Sequence, residues 1–316
     1  MLGKDSHRIF YCYRIGCCLF SLYKIELMKL VVDSGSTKTD WFYASSPTEY
    51  TVIKTKGINP VVQTCEEIKE IISGMCLRNI NDFNKVGEVY FYGAGCTPLN
   101  KLVVESILKE NFLDAEVNVE SDLLAAARAL CGRKEGLAAI LGTGANSCFY
   151  DGRKIVANTP ALGFILGDEG SGAVLGRKFL NGIIKGWLPS HICENFYDET
   201  GLTVDDIIDN VYRKPSPNRF LASMSEFILR HVDSSPELES LVVENFDNFI
   251  SINLNPYRRL FDSTDHGNHS VKIINAVGSV AYYYKEQLAK AAHNNGYKVG
   301  KVVRSPVAGL LDFHFQ

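Results

Sequence analysis

The sequence predicts an α/β protein built from two related lobes. A turn rich in glycine, serine and threonine lies between two strand-like runs at residues 33–39, and a second Gly/Thr turn lies at residues 142–146. Strand-like and helical patterns alternate between the two turns, which is typical of an α/β fold. The chain has 316 residues, enough for two domains of ordinary size. We therefore expect each turn to open one lobe.

The first lobe is predicted to begin with a hairpin. An apolar run at residues 29–32 enters the first turn, and a second strand-like run at residues 40–43 leaves it. Hydrophobic periodicity then predicts helices and strands in alternation. They are a helix at 66–80, a strand at 88–92, a helix at 99–110 and a strand at 116–119.

The second lobe is also predicted to open with a hairpin. Strand-like runs at residues 137–141 and 147–150 flank the second turn, and Asp151-Gly152 makes the next tight turn. Helical patterns dominate residues 170–253, with a proline-rich break at 214–217. The individual elements predicted in this lobe are helices at 220–231 and 238–253, a strand at 273–276, a helix at 278–295, a strand at 299–303 and a short terminal helix that starts at Pro306.

These patterns divide the chain into three segments. Residues 1–27 are interpreted as a non-native or disordered extension, because Met28 opens directly into the first strand and could be the native start. Residues 28–118 form the predicted N-terminal lobe, and residues 119–316 form the C-terminal lobe with its helical elaboration. The terminal helix at 306–316 is expected to pack back on the N-terminal lobe.

Composition argues against several classes of protein. Hydrophobic residues make up 46% of the chain and charged residues 22%, as in ordinary soluble globular proteins. A formal net charge of −3 offers no basic face for nucleic acid. The apolar stretch at residues 15–23 has no cleavage site after it and is too short to span a membrane. The nine cysteines form no CxxC pair and no Cys/His cluster, so we expect reduced thiols in a cytoplasmic protein.

The two turns are candidate phosphate-binding sites. Glycine lets backbone N–H groups approach a phosphate closely, and residues 35–37 and 142–144 both offer such groups. A single Gly-rich hairpin is more often only a turn. Two of them, one in each lobe, could hold a triphosphate from both sides of a cleft. The chain has neither the GxxxxGK[ST] pattern of P-loops nor a GxGxxG fingerprint.

Four segments carry a family resemblance. VVDSGSTKTDW (31–41), ILGTGANS (140–147), LGDEGSG (166–172) and NAVGSVA (275–281) occur in the order found in the BadF/BadG/BcrA/BcrD ATPase group. Within this group the chain is most similar to the N-acetylglucosamine kinases, and the closing segment RSPVAGLLDFH (304–314) also resembles theirs. The resemblance implies two ribonuclease-H-like lobes of the actin, hexokinase and Hsp70 type with ATP and a sugar in the interdomain cleft. It implies phosphorylation of an amino sugar, with N-acetylglucosamine and its 6-phosphate as the first candidates.

The resemblance also assigns the nucleotide site. Asp33 is implied to position Mg²⁺ through water, because Mg²⁺ keeps much of its hydration shell. The residues implied to bind ATP, through the two turns and through the start of a helix near the adenosine, are Gly35, Ser36, Thr37, Lys38, Thr143, Gly144, Gly278 and Ser279.

Asp122 is the candidate catalytic residue. It follows a predicted strand and heads the Ala-rich run at residues 123–130, so its carboxylate would lie at a helix N-terminus. Either Ser121 or Asp122 could simply be the N-cap of that helix. The resemblance instead makes Asp122 the base that accepts the proton of the attacking sugar hydroxyl. The helix dipole would favour the ionised form that a base requires.

The implied sugar-binding residues are Asn59, Gly163 and Asp168. Asp168 is expected at the start of a helix that runs through Leu175, where it could equally be a cap. Glu169 is a second candidate for contact with the substrate. One departure concerns the acetyl group, since related kinases often carry Gly and Trp just before Gly163, and this chain has Ala161 and Leu162.

Two alternatives remain, and one of them comes from the same group of proteins. The first is an ATPase activator of an acyl-CoA dehydratase or reductase, which holds an iron–sulfur cluster with cysteines at a dimer interface. The scattered cysteines match no such arrangement. The second is a catalytically silent sugar- or nucleotide-binding module, since fold alone does not imply activity. Asp33, Asp122 and Asp168 argue against it. No helix-turn-helix precedes the first turn, which disfavours a repressor, and a homodimer is compatible with the sequence.

Overall fold

The computed structural model describes residues 28–35, 37–78, 85–262 and 272–316. The predicted extension at residues 1–27 and the predicted ATP ligand Ser36 lie outside the described residues. Among the described residues, no helix is long and apolar enough to cross a membrane.

In the described part of the chain, ten strands form two five-stranded sheets. The first sheet contains β1 Met28–Ser34, β2 Lys38–Ala44, β3 Tyr50–Lys56, β4 Val86–Gly93 and β5 Glu116–Ser121. The second sheet contains β6 Glu135–Leu141, β7 Ala145–Asp151, β8 Ile155–Thr159, β9 Ile273–Val277 and β10 Lys298–Val303.

The two sheets have the same topology. Their strand orders are β3-β2-β1-β4-β5 and β8-β7-β6-β9-β10. In each sheet the first three strands are antiparallel, and the last two run parallel to the first. The prediction of two related α/β lobes, each opened by a hairpin, is therefore confirmed.

Helices cover both faces of the first sheet. The helices that follow its strands are α1 Cys65–Arg78, α2 Lys101–Asn111 and α3 Asp122–Cys131. Helices α1 and α2 bury Ile68, Ile72 and Ile107 against one face, in a core that includes Trp41 and Phe91. Helix α3 lies on the opposite face.

The second lobe adds a thick helical layer between β8 and β9. Its helices are α4 Gly163–Leu166, α5 Gly172–Lys185, α6 Ser190–Thr200, α7 Val204–Tyr212, α8 Pro217–His231, α9 Pro236–Phe249 and α10 Arg258–Asp262. Phe179, Phe196 and Phe227 of this layer pack together, with ring centroids 5.3–5.4 Å apart. Two further helices, α11 Ser279–Tyr283 and α12 Lys285–Asn294, precede β10 in sequence, and α13 Val307–Phe315 follows it.

Helix α3 packs between the two sheets, and α13 packs against α3 and the first sheet. Ala125 and Ala129 of α3 share a buried cluster with Leu310 of α13 and with Val31 of the first sheet. A Cβ at Gly309 of α13 would lie 2.2 Å from the Ala129 carbonyl oxygen, so glycine is required for this close approach. The terminal helix therefore lies against the first sheet, although it belongs to the second lobe by sequence.

Several predicted boundaries differ from the observed ones. The predicted boundary between residues 118 and 119 falls inside β5, which continues to Ser121. The predicted helix at 278–295 is two helices, because Tyr284 leaves helical geometry and its hydroxyl donates to the Ser225 carbonyl at 2.5 Å. The predicted helix at 238–253 is α-helical only to Phe249 and continues as a π-helical turn, Ile250–Leu254.

Candidate active site

The first lobe brings two carboxylates to one edge of its sheet. Strands β1, β4 and β5 are parallel, so their carboxyl ends meet at the same edge. Asp33 lies at the end of β1, and Asp122 begins α3 directly after β5. The Ser121 hydroxyl accepts a hydrogen bond from the Leu124 N–H at 3.2 Å and is the N-cap. The Asp122 carboxylate is therefore not needed as a helix cap.

Both carboxylates are destabilised in their charged forms. Burial, followed by the charges of Asp122 and Asp40, raises the pKa of Asp33 to about 6, against a smaller opposing effect of Lys38. Burial also raises the pKa of Asp122, although the backbone N–H groups of Leu123 and of Asp122 itself lower it. The N–H groups at the helix N-terminus favour the ionised form of Asp122, but desolvation outweighs them.

The first hairpin presents exposed backbone and one cation. The Gly35 N–H donates to the Lys38 carbonyl at 3.0 Å, which closes the turn. Gly35, Thr37 and Lys38 are exposed. Lys38 Nζ forms an ion pair with Asp40 Oδ2 at 2.8 Å. The other oxygen of Asp40, Oδ1, is buried and has no hydrogen-bond partner in the described part of the chain.

The second hairpin is tied to the start of α5. The Gly142 N–H donates to the Gly144 carbonyl at 3.0 Å. The N–H groups of Gly172 and Ala173, in the first turn of α5, donate to the carbonyls of Gly142 and Thr143 at 2.8 and 3.2 Å. The Thr143 side chain is exposed. These contacts fix the hairpin backbone that is predicted to meet phosphate.

Gly278 and Ser279 lie beside this hairpin. Gly278 has φ +125°, and a Cβ there would lie 2.3 Å from the Leu141 carbonyl oxygen. Glycine is therefore required both by the backbone conformation and by the close approach. Ser279 is exposed and begins α11.

Asp168 lies in the loop before α5 rather than on the helix. Helix α5 begins at Gly172 and is capped by Ser171, whose hydroxyl accepts from the Val174 N–H at 3.1 Å. The prediction that Asp168 starts this helix is therefore wrong. Asp168 has φ +56°, a left-handed conformation that is uncommon outside glycine.

The Asp168 carboxylate points at the second hairpin. It accepts a hydrogen bond from the Ala145 N–H, and a Cβ at Gly144 would lie 3.0 Å from its Oδ2. Burial raises the pKa of Asp168 to about 6, with a smaller rise from the charge of Glu169, while the Ala145 N–H opposes the shift. The structure thus brings Asp168 and Gly144 together, as predicted residues of one site.

Of the other two predicted sugar ligands, Asn59 lies on a loop and Gly163 begins α4. The Asn59 side chain packs against the turn after β4, because a Cβ at Gly95 would lie 2.1 Å from Asn59 Oδ1. This turn continues into buried Cys96, whose thiol pKa is raised by burial and then by the charge of Asp122. Asn59 therefore lies in the neighbourhood of Asp122. Gly163 has φ +74° and begins α4, where a Cβ would meet open space.

Comparison with known proteins identifies the family. No protein-family model and no curated protein matches the chain. A solved structure from Porphyromonas gingivalis, assigned as an N-acetylglucosamine kinase, is 45% identical in sequence. The match covers 91% of this chain and 99% of that protein, with a TM-score of 0.83. The chain belongs to the N-acetylglucosamine kinase family.

More distant structures share the kinase fold. A protein from Chromobacterium violaceum, also assigned as an N-acetylglucosamine kinase, is 15% identical with a TM-score of 0.65, over 92% of this chain and 100% of that one. The ROK hexokinase from Thermus thermophilus is 15% identical with a TM-score of 0.54, over 90% and 96%. These likenesses support the fold alone. The predicted resemblance to N-acetylglucosamine kinases is confirmed by the first match.

Two asparagines near the second hairpin of this N-acetylglucosamine kinase family member were not predicted from the sequence. Asn146 Oδ1 accepts from Asn158 Nδ2 at 2.9 Å, and Asn146 follows directly on the Ala145 N–H that Asp168 accepts. The place of Asn146 in GTGAN was an available signal. Asn253 was missed as well, and its amide donates to Glu169 Oε2 at 3.2 Å. No local pattern marks that contact, because 84 residues separate the two positions.

The carboxylates of the first lobe suit a hard cation. Asp33, Asp40 and Asp122 offer oxygen donors, which Mg²⁺ prefers. Burial and then the charges of Asp122 and Asp40 raise the pKa of Asp33, and the unpartnered Asp40 Oδ1 lies in the same region. Among the described residues, no group of three or more His, Cys, Asp or Glu side chains is arranged to hold a metal ion directly. A cation here would therefore depend on water or phosphate for most of its ligands.

Proposed function

We propose that this chain transfers the γ-phosphoryl group of ATP to N-acetylglucosamine and forms the 6-phosphate. The observation that carries the proposal is the placement of Asp122. The Asp122 carboxylate, which does not serve as the N-cap of α3, lies beside Asp33 at the carboxyl edge of the first sheet. The chain is also 45% identical to a protein assigned as an N-acetylglucosamine kinase. Phosphoryl transfer needs mainly positioning and charge neutralisation, and a carboxylate beside two Gly-rich turns provides the parts for both.

ATP is proposed to lie between the two hairpins. The exposed backbone at Gly35 and Thr37 would face the phosphates from the first lobe, with Ser36 and Lys38 beside them. Thr143 and Gly144 would face them from the second lobe. The start of α11, at Gly278 and Ser279, would receive the adenosine, because Ser279 is exposed there beside the second hairpin.

Mg²⁺ is proposed to be held by Asp33 through water. When bound, it would supply charge neutralisation for the phosphate oxygens. Asp33 is suited to this role because its neighbours Asp122 and Asp40 already disfavour its bare negative charge. Asp40 would orient Lys38 toward the phosphates through their ion pair.

Asp122 is proposed as the general base. It would accept the proton of the sugar 6-hydroxyl while that oxygen attacks the γ-phosphorus and ADP leaves. Burial raises its pKa, and a carboxylate with a raised pKa accepts a proton more readily than an ordinary aspartate does. The N–H groups at the start of α3 keep the charged form accessible.

The sugar is proposed to lie between the loops that carry Asn59 and Asp168. Asp168 would accept hydrogen bonds from sugar hydroxyls, and Gly163 would leave room for the ring, since a Cβ there meets open space. Leu162 replaces the tryptophan of related kinases, and its side chain is 64% exposed. It would offer the acetyl methyl group a smaller apolar contact.

A coupled ADP-release assay across N-acetylglucosamine, N-acetylmannosamine, glucosamine and glucose tests the proposal. We expect N-acetylglucosamine to give the highest kcat/KM. Release that no sugar stimulates would refute the kinase function. Preference for another sugar in the panel would refute the substrate while leaving the reaction intact.

We also propose a cytoplasmic location. The cysteines among the described residues are all free thiols, which suits a reducing compartment. A homodimer stays a prediction that size-exclusion chromatography with light scattering can test.

A further inference from the structure

The helical layer of the second lobe contains a turn of unusual geometry. Helix α9 ends at Phe249, and the next turn, Ile250–Leu254, is π-helical. Single π-helical turns are rare and are found frequently at functional sites. This turn places Asn253 toward the loop that carries Asp168 and Glu169.

Asn253 is held firmly inside the turn. Its side chain and backbone are only 6% exposed. The amide donates to Glu169 Oε2 at 3.2 Å. The backbone carbonyl accepts hydrogen bonds from Thr159 Oγ1 at 2.9 Å and from Ser147 Oγ at 3.4 Å. Buried polar groups with partners on both sides specify a single arrangement.

Tyr257 joins the same turn to strands β7 and β8. Its hydroxyl accepts from the Thr159 N–H at 2.7 Å and lies 2.9 Å from Ser147 Oγ. Strand β7 begins at Ala145, directly after the second hairpin. The π-helical turn, the hairpin and the Asp168 loop are therefore connected by buried hydrogen bonds.

Asp168 and Glu169 are consecutive carboxylates with different partners. Asp168 accepts from the Ala145 N–H, whereas Glu169 accepts from the Asn253 amide. Glu169 is partly exposed, and among the described residues only its Oε2 has a hydrogen-bond donor. A carboxylate with one oxygen held and the other open can accept a hydrogen bond from a hydroxyl without first being ordered.

We propose that Glu169 binds a hydroxyl group of the acceptor sugar through Oε1, and that Asn253 is the positioning residue that fixes this carboxylate. The proposal rests on the kinase function proposed above, because that function defines the acceptor. It adds a second carboxylate to the sugar site and gives the π-helical turn a role. Asn253 does not touch the sugar and acts only through Glu169.

Steady-state kinetics of two single variants test the proposal. We expect Glu169→Gln to raise the KM for N-acetylglucosamine about 10- to 100-fold, the loss expected for a hydrogen bond to a charged group. Asn253→Ala is expected to raise the same KM about tenfold, with the KM for ATP unchanged and kcat near wild type. Ser251→Ala is the matched control, because Ser251 is exposed on the same turn and, among the described residues, its side chain bonds only to the Asn248 carbonyl.

A double variant separates positioning from a general effect on the fold. If Asn253 acts through Glu169, Glu169→Gln with Asn253→Ala should raise the sugar KM no further than Glu169→Gln alone. If the two increases in sugar KM multiplied in the double variant, the positioning role of Asn253 would be overturned. If Asn253→Ala does not fold, Asn253→Asp takes its place, since it keeps the size and sets a second carboxylate against Glu169. That variant must then raise the sugar KM more than Ser251→Ala does.

The outcomes distinguish this proposal from the proposed function. A wild-type chain without sugar-stimulated ADP release refutes the kinase itself. An active wild type whose sugar KM is unchanged in Glu169→Gln refutes the role of Glu169 and leaves the kinase standing. If Asn253→Ala lowered kcat and raised the KM values for ATP and sugar by similar factors, Asn253 would only support the fold, and the proposal would also be overturned.

Discussion

The two lobes share a topology but differ in where they carry charge. In the first lobe, Asp33 stands at the end of β1, and Asp122 begins the helix after β5. At the corresponding places of the second lobe, Ile140 lies near the end of β6, and Val307 begins the helix after β10. The carboxyl edge of one sheet is acidic, whereas that of the other is apolar at the matching positions.

The second lobe obtains its carboxylates from an insertion. In the first lobe a single described helix, α1, lies between the third and fourth strands, whereas α4 to α10 occupy that interval in the second lobe. Asp168 and Glu169 lie near the start of this insertion, and Asn253 lies near its end. A repeated sheet edge can thus take two tasks. One lobe supplies the proposed base and cation ligand, and the other supplies the proposed sugar contacts.

The largest expected effect comes from removing the base of the first lobe. Asp122→Asn should lower kcat at least about 100-fold, because a positioned base contributes about that much or more. Binding of ATP and sugar, measured by isothermal titration calorimetry, should be retained. Ser121→Ala is the matched control. It removes the cap at a cost of about 1 kcal/mol in the free energy of unfolding and should leave turnover near wild type. Near-normal activity of Asp122→Asn would show that the first lobe does not supply the base, and the proposed division of roles between the lobes would be refuted.

Substitutions at the proposed binding residues of the second lobe should change KM rather than kcat. Asp168→Ala is expected to raise the sugar KM about 10- to 100-fold, as for the loss of hydrogen bonds to a charged acceptor. Thr143→Ala, on the hairpin next to it, should instead raise the KM for ATP about fivefold, since a neutral hydrogen bond is worth about 1 kcal/mol. Steady-state kinetics with each substrate varied in turn measure both values. If Asp168→Ala changed only the ATP value, the sugar site would have to lie elsewhere.

Local sequence signals predicted the shared features of the lobes. Two Gly/Thr turns between apolar runs predicted both hairpins, because glycine and short polar residues end strands in a recognisable way. A strand followed by Ser121, Asp122 and an Ala-rich run predicted the start of α3. The choice between Ser121 and Asp122 as cap needed the structure, because both residue types are common N-caps.

The features that differ between the lobes depend on distant contacts. The start of α5 was misplaced because Ser171 is as good a cap as Asp168, and the left-handed conformation of Asp168 has no local signature. At the break in the predicted helix, the Tyr284 hydroxyl bonds to the Ser225 carbonyl, 59 residues away in sequence. The pairing of Asn253 with Glu169 likewise joins the two ends of the insertion. Periodicity within a short window contains no information about such pairs.

The pH dependence of the free energy of unfolding should show how much the charge of Asp33 destabilises the fold. The pKa of Asp33 is raised from 3.8 to about 6, so the folded state binds this proton more tightly than the unfolded state does. The contribution of this group to stability is therefore full below pH 3.8 and is lost as the pH rises through about 6. Asp33→Asn should raise the free energy of unfolding by about 1–3 kcal/mol at neutral pH, and the gain should vanish in acid.

Urea unfolding across a pH series measures this effect. Asp151→Asn is the control from the second lobe, because the backbone N–H groups of Lys154 and Arg153 lower the pKa of Asp151. No gain at neutral pH is expected there. A pH-independent gain in Asp33→Asn would mean that the charge of Asp33 is not what destabilises this edge.

The contact between the two equivalent helices is a further difference to test by stability. Helix α3 from the first lobe and α13 from the second meet at Gly309, where an added Cβ would lie 2.2 Å from the Ala129 carbonyl oxygen. Gly309→Ala should force the helices apart and lower the free energy of unfolding by about 1–3 kcal/mol, as overpacking does. Gly74→Ala, in α1, is the matched control, since its Cβ would meet only the end of the Arg78 side chain at 3.9 Å. That variant should instead gain about 0.5–1 kcal/mol from helix propensity. Urea midpoints measured side by side check the opposite signs, and a Gly309→Ala protein as stable as wild type would show that the two lobes do not depend on this contact.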